Sequence, residues 1–262
     1  MTPAPTVLTD LEGRPAVSVQ RATPTPGELG DIGQAFRRAL AEAVGTFFLV
    51  LIGTGAVMVD AYTGGALGTT GIALAFGFVV LAMIATLGHL SGAHINPAVT
   101  IAFWSVRRFP GRDVPLYIVA QCFGALAASA ILRFVLGPIG GLGATLPHIG
   151  VGRAFVVEWV FSFGLMLVIA AVATDSRVAD GLAAIAVGLT VGFCALLGPL
   201  TGSSMNPARS FGPALVGGLW DGHWVYWVAP ISGMMVAVRL YDFLRRTEAP
   251  RCRSGSNKAP TP

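Results

Sequence analysis

The chain has 262 residues, 54% of them apolar and only 11% charged, with a mean hydropathy of +0.71. A soluble domain carries roughly 25% charged residues, so this balance demands a membrane and removes nucleic-acid binding as a reading of the +4 net charge. Three cysteines, Cys122, Cys194 and Cys252, are too few and too scattered for a disulfide framework or a metal site, and no nucleophile–base pairing, metal cluster or cofactor loop points to an enzyme.

Residues 1–34 hold five prolines and no long apolar run, which predicts a disordered cytoplasmic tail without a cleavable signal peptide. Six apolar segments follow, at about 36–59, 70–90, 114–136, 154–174, 181–198 and 224–244, each near the ~20 residues that span a bilayer. They predict one all-α membrane domain over 35–246, with a second cytoplasmic tail at 247–262. Basic residues cluster at alternate connections: Arg37 and Arg38; Arg107, Arg108 and Arg112; Arg177; and Arg245, Arg246, Arg251, Arg253 and Lys258. The connections at 60–69 and 137–152 carry no Lys or Arg. The positive-inside rule then places both termini in the cytoplasm, as an even number of spans requires.

Two short stretches interrupt this pattern, SGAHINPAVT at 91–100 and GSSMNPARSF at 202–211. Each centres on Asn-Pro-Ala: Asn96, Pro97 and Ala98, then Asn206, Pro207 and Ala208. Asn is a favoured N-cap and Pro suits the first helical position, so each triplet predicts a helix start. Each helix is stopped after about three turns, by Arg107, Arg108 and Pro110 in one case and by Gly217 and Gly218 in the other. About 11 residues rise roughly 16 Å, half of a ~30 Å hydrocarbon core. These are re-entrant half-helices.

The chain also repeats. AEAVGTFFLVLIGTG from Ala41 matches VEWVFSFGLMLVIAA from Val157, aligning Glu42 with Glu158, and the 30 residues from Gly71 match those from Gly181, setting the triplets 110 positions apart. The halves are about 36–136 and 154–246. Each half holds three spans, an odd number, so the second lies inverted. Inverted repeats with broken helices put a solute site at the midplane between them. The two half-helix N-termini then face each other, each with unpaired N–H groups and roughly +0.5 charge. Asn96 and Asn206 can donate to a passing oxygen, which breaks the hydrogen-bonded file a proton needs, and the positive field opposes cations. Arg209, directly after the second triplet, is a charge at membrane depth, which usually lines a water-filled path.

The paired triplets, in the contexts HLSGAHINPAVT and NPARS, resemble the aquaporin, or major intrinsic protein, family over about residues 36–246. RRFPGRDVPLYIVAQ, VATDSRVADGLAAIAVG and GSSMNPARSFGPAL are most similar to the nodulin-like intrinsic proteins and their bacterial relatives. The resemblance implies an aquaporin-like fold, a homotetramer in the cell (inner) membrane, and a passive channel for water and small uncharged solutes that excludes protons and ions. Glycerol or metalloid hydroxides such as arsenite or boric acid fit within that class. It implies an outer constriction of Phe76, Cys194, Ser203 and Arg209, although residue type alone fits Phe76 equally to a core or lipid-facing position. Cys194 stands where strict water channels usually have His, which argues for a broader filter. Ser210 stands where glycerol facilitators typically have Asp, and Ala214, Tyr226 and Trp227 are also water-channel-like. Glu42 and Glu158 are expected to hold the half-helix loops through backbone N–H groups, with helix-end solvation as their alternative. His89 is expected at the first loop and inner vestibule, or as a structural histidine; His94 reads as structural and Gln121 as an interhelical hydrogen bonder. The rival class is a coupled secondary transporter, which needs an intramembrane carboxylate or His relay.

Overall fold

The computed structural model describes residues 32–174 and 181–245. Most of both expected tails, together with Arg177, Arg246, Cys252 and the basic residues around it, lies outside the described residues. The first repeat holds α1 (Ile32–Tyr62), α2 (Gly68–Ser91), the half-helix α3 (Pro97–Ser105) and α4 (Val114–Leu136). The second holds α5 (Val151–Thr174), α6 (Leu182–Ala195), a single turn α7 (Gly198–Thr201), the half-helix α8 (Pro207–Gly217) and α9 (Val225–Arg245). The first helix begins at Ile32, inside the stretch read as tail.

Among the described residues, five helices are long and apolar enough to cross a membrane. The fifth expected span, 181–198, is instead a 14-residue helix followed by a break. Pro199 is the cause. It has no N–H, and its ring excludes the carbonyl four residues back. The Leu197 N–H turns to the Cys194 carbonyl at 3.1 Å, and α7 restarts the helix beyond it. The first repeat has His89 at the equivalent position, and α2 runs unbroken over 24 residues.

Small residues set the packing. A Cβ at Gly124 of α4 would land on the Ala43 carbonyl of α1; a Cβ at Gly233 of α9 would lie 2.6 Å from the Trp159 carbonyl of α5. These are the same contact in the two repeats, and they let the paired backbones touch. Each half-helix packs on the last span of the other repeat, α3 on α9 and α8 on α4, so neither repeat is complete alone. Large apolar side chains face outward, including Phe134, Phe123, Phe193 and Phe78, as a lipid-facing surface requires.

One end of the bundle is basic and tied by ion pairs. Arg38 meets Asp113 at 3.0 Å, and Arg108 joins Thr174 at the end of α5 to Asp242 near the end of α9. Arg245 donates to the Thr174 carbonyl. The start of α1, the 107–113 connection and the ends of α5 and α9 therefore share one face. Arg133 and Arg153 lie toward the opposite end.

Candidate pore and its constriction

Both triplets build the same cap. Asn96 and Asn206 sit in extended backbone, and each side-chain oxygen accepts from the N–H of the alanine two residues on, at 2.9 and 3.0 Å. Pro97 and Pro207 occupy the first helical position, where no N–H is needed. Each Asn amide then reaches into the other repeat. Asn96 Nδ2 donates to the Met205 carbonyl and Asn206 Nδ2 to the Ile95 carbonyl, both at 2.8 Å. This reciprocal pair brings the two half-helix N-termini together. Each amide has two hydrogens, so one on each Asn remains for another acceptor.

The loops leading to the caps are bent through left-handed backbone at non-glycine residues: Ala93 and Ile95 in one, Ser203 and Met205 in the other, with φ between 41° and 51°. Such residues cost roughly 1–2 kcal/mol each and persist only where their surroundings over-determine them. Two buried carboxylates do so. Glu42 Oε1 accepts from Ser91 Oγ at 2.7 Å and the His94 N–H at 2.9 Å; its Oε2 accepts from the Ile95 N–H at 2.6 Å and Gln121 Nε2 at 2.8 Å. Glu158 repeats this with Thr201 Oγ1 at 2.8 Å, the Ser204 N–H at 2.9 Å and the Met205 N–H at 2.8 Å. Tyr117 and Tyr226 complete the symmetry by donating to the Ser91 and Thr201 carbonyls.

A cavity of about 1650 Å³ runs inward from Arg37, Arg38 and Arg108 at the basic end, past His89 and both Asn residues, to Phe76, Ser203 and Arg209. One side of its wall is apolar: Phe76, Val80 and Ile84 of α2, and Ala184, Val187, Val191 and Ala195 of α6, at helical spacing. The other side is the polar backbone of the two loops, at 92–96 and 203–206. None of the connections at 137–150 and 218–224 lines it, so it ends at the arginine.

Arg209 is 2% exposed. Its Nη1 donates to the Gly143 carbonyl at 2.7 Å, and its guanidinium carbon lies 5.1 Å from the centre of the Phe76 ring, within cation–π range. Its Nε is buried without a hydrogen-bond partner among the described residues. Phe76 itself is pressed into the notch left by Gly53. Ser203 Oγ donates to the Cys194 carbonyl at 2.8 Å.

Cys194 and His89 belong to opposite ends of the cavity. Cys194 is half-buried and lies two helical turns beyond Val187, at the edge of the α6 stripe, with Ala195 beside it on the wall. Cys194 contributes its carbonyl, which holds Ser203. His89 is exposed on the inner cavity wall, and its ring bonds no loop residue among the described residues. The histidine that supports the loop is His94. Its Nδ1 pairs with Thr100 Oγ1 at 3.0 Å, and its ring packs on Phe103, Phe109 and Tyr117. The connection at 137–150 carries a role its neutral sequence did not announce, since Gly143 holds Arg209. Its GPIGGLG run was the available signal, because Gly140, Gly141 and Gly143 all need left-handed backbone. Outside the spans, His223 Nε2 accepts from Trp227 Nε1 at 3.1 Å, and burial pushes the pKa of this imidazole down, toward the neutral form that can accept.

The α6 stripe makes a direct test. Ala195→Leu is expected to cut solute flux at least about fivefold by filling the wall beside Arg209, whereas Cys194→Ala, which removes only one atom at the edge of that face, should stay within about twofold, a change no larger than ordinary partly buried substitutions produce. Stopped-flow permeability of both variants, at equal protein content, decides between the two positions.

The sequence model of the family described as Major intrinsic protein matches residues 32–241. The chain is 47% identical over 220 residues to Aquaporin NIP1-2 of Oryza sativa subsp. japonica, covering 80% of this chain and 72% of that protein. It is 43% identical over 216 residues to Nodulin-26 of Glycine max, covering 82% and 80%. The X-ray structure of the aquaglyceroporin from Plasmodium falciparum superposes with a TM-score of 0.71 at 27% identity, over 79% of this chain and 96% of that one. With five spanning helices and the shorter α6, two half-helices meeting through their asparagines and a cavity between them, the chain belongs to the major intrinsic protein family and is a transmembrane channel for water and small solutes.

Proposed function

We propose that this channel is passive, excludes protons and ions, and passes small polyols or trihydroxy metalloid acids besides water. The observation that carries this reading is the pairing of Asn96 and Asn206 across the cavity, each with one amide hydrogen uncommitted. A water accepting from both turns its own hydrogens away, toward its neighbours on either side. The proton file is broken there, and the half-helix ends, each roughly +0.5, add an electrostatic barrier. Phe76, Cys194, Ser203 and Arg209 act as the filter, with Ala195 beside them. The small Ala195 and Ser203 leave width beside the arginine, and the apolar stripes opposite the polar loops suit a solute with hydroxyls on one flank and carbon on the other. The name of the Plasmodium falciparum neighbour, an aquaglyceroporin, agrees with that breadth.

Among the described residues, the carboxylates deep in the spans give coupled transport no relay. Glu42 and Glu158 each accept several hydrogen bonds from the loops they hold. The basic end, with Arg37, Arg38 and Arg108 around the cavity mouth, supports a cytoplasmic placement of both termini and a cell (inner) membrane location. Residues 35–246 then form the channel domain. A homotetramer fits the family and the broad apolar outer surface.

Proteoliposomes under an osmotic gradient, with no ion gradient, test the reading. Raised flux is expected for water and for at least one of glycerol, urea, boric acid and arsenite. An imposed pH gradient should decay no faster than in empty vesicles. Flux that needs a sodium or proton gradient would establish the transporter instead, and exclusion of all four solutes would remove the broad filter.

A further inference from the structure

The constriction is completed by a side-chain chain that lies behind it. Thr145, in the connection between α4 and α5, donates from Oγ1 to Ser210 Oγ at 2.7 Å. Ser210 Oγ lies 2.5 Å from Ser204 Oγ, and Ser204 Oγ donates to the Asn206 carbonyl at 2.9 Å. With Ser204 committed as donor to Asn206, Ser210 can donate to Ser204, and Thr145, which also contacts the Tyr226 hydroxyl, heads the chain. Thr145 and Ser210 are 3% and 0% exposed, whereas Ser204, 5% exposed, also borders the cavity. The chain starts two residues from Gly143, whose carbonyl holds Arg209, and ends on the cap residue of the half-helix that carries Arg209.

Two close approaches brace the same connection. A Cβ at Gly202 would lie 2.7 Å from Thr145 Cγ2, and a Cβ at Gly143 would lie 2.8 Å from Thr54 Cβ of α1. Leu142, just before Gly143, is 2% exposed and packs in a cluster with Met58 of α1 and Leu132 of α4. The connection therefore spans both repeats, and its only polar tie to α8 besides Gly143 is the Thr145–Ser210 bond.

Resting on the channel reading above, we propose that Thr145 and Ser210 form a hydroxyl latch whose function is solute discrimination: it holds the Gly143 carbonyl at the angle that keeps Arg209 against the loop and out of the lumen. When the latch is broken, the guanidinium loses its tether and folds onto the face of Phe76, which already attracts it. The lumen then narrows for solutes wider than water. Thr145 and Ser210 are positioning residues, since neither lines the cavity.

The test compares Thr145→Val, Ser210→Ala and Thr145→Ser with the wild type in proteoliposomes, reading the ratio of glycerol to water permeability together with thermal stability in detergent. Thr145→Val keeps the shape and removes the donor. Its ratio should fall by about threefold or more, the scale of one neutral hydrogen bond, and Ser210→Ala should follow it. Thr145→Ser should restore the wild-type ratio. A ratio unchanged or raised in Thr145→Val, or a Thr145→Ser channel impaired as much, overturns the latch. A proportional loss of both permeabilities with a lowered melting temperature also overturns it, because that marks a merely structural role. A wild type that passes water but no glycerol contradicts the broad-filter reading, and the same variants are then compared by urea or boric acid flux, so the two failures are separable.

Discussion

Glu158→Ala is expected to yield no functional channel, and Glu42→Ala the same. Both carboxylates are fully buried, and each satisfies the N–H groups of two adjacent residues, the second of them held in left-handed backbone. Removing Glu158 strands the Ser204 and Met205 N–H groups and the Thr201 hydroxyl away from water. Each stranded donor costs about 1–3 kcal/mol, so the sum is on the order of the whole stability of a domain. The Gln variants separate the two repeats. An amide in place of a carboxylate must turn its NH2 toward one backbone N–H, which loses that bond. Beside Glu42 stands Gln121, whose Oε1 has no partner and which can turn its own amide over to accept from Gln at position 42. The equivalent position beside Glu158 is Pro230, which offers no polar side-chain atom. Glu42→Gln should therefore retain a measurable fraction of osmotic water permeability and Glu158→Gln should not, at matched protein content. Wild-type flux in Glu158→Ala, or a milder defect in Glu158→Gln than in Glu42→Gln, contradicts the account of what holds the loops.

The half-helices were legible because their signal is local. Asn followed by Pro writes cap geometry into two residues, and the stops at Arg107 and Gly217 write the length. The inverted repeat was legible by counting spans, and the repeat alone aligned Glu42 with Glu158. What was not legible depends on direction around a helix or on a partner distant in sequence. Pro199 sits inside an apolar run that reads as one span, yet its missing N–H ends α6 four residues earlier, at Ala195. Cys194 and Ala195 are neighbours in a uniformly apolar helix, which gives no periodicity to show how far each side chain faces the lumen. His89 and His94 have the same chemistry five residues apart. Only the packed ring cluster of Phe103, Phe109 and Tyr117 shows which of them serves the loop. The Gly143 connection escaped because its contribution is a backbone carbonyl, to which any residue type is blind.

Arg209→Val is expected to open the filter in two separable ways. The first is steric: losing the guanidinium should raise glycerol or urea permeability several-fold relative to water. The second is electrostatic. A unit charge about 4 Å from a permeating cation, at an effective dielectric near 20, opposes it by about 4 kcal/mol, or on the order of a thousandfold in partition. Methylammonium leak through Arg209→Val should therefore rise by at least about tenfold. It should still remain far below water flux, because the paired half-helix ends at Asn96 and Asn206 keep their positive field deeper in the cavity. Arg209→Lys divides the two effects. Lysine keeps the charge but loses the planar fork that binds Gly143 and lies over Phe76, so it should still exclude methylammonium while its ratio of solute to water permeability shifts. The measurement is stopped-flow swelling for the neutral solutes, with a pH-sensitive dye trapped in the vesicles for the amine. If Arg209→Lys leaks as freely as Arg209→Val, charge is not the barrier at this point. If Arg209→Val passes glycerol and excludes methylammonium as the wild type does, the narrowest part of the channel lies elsewhere, and the pair of asparagines carries exclusion alone.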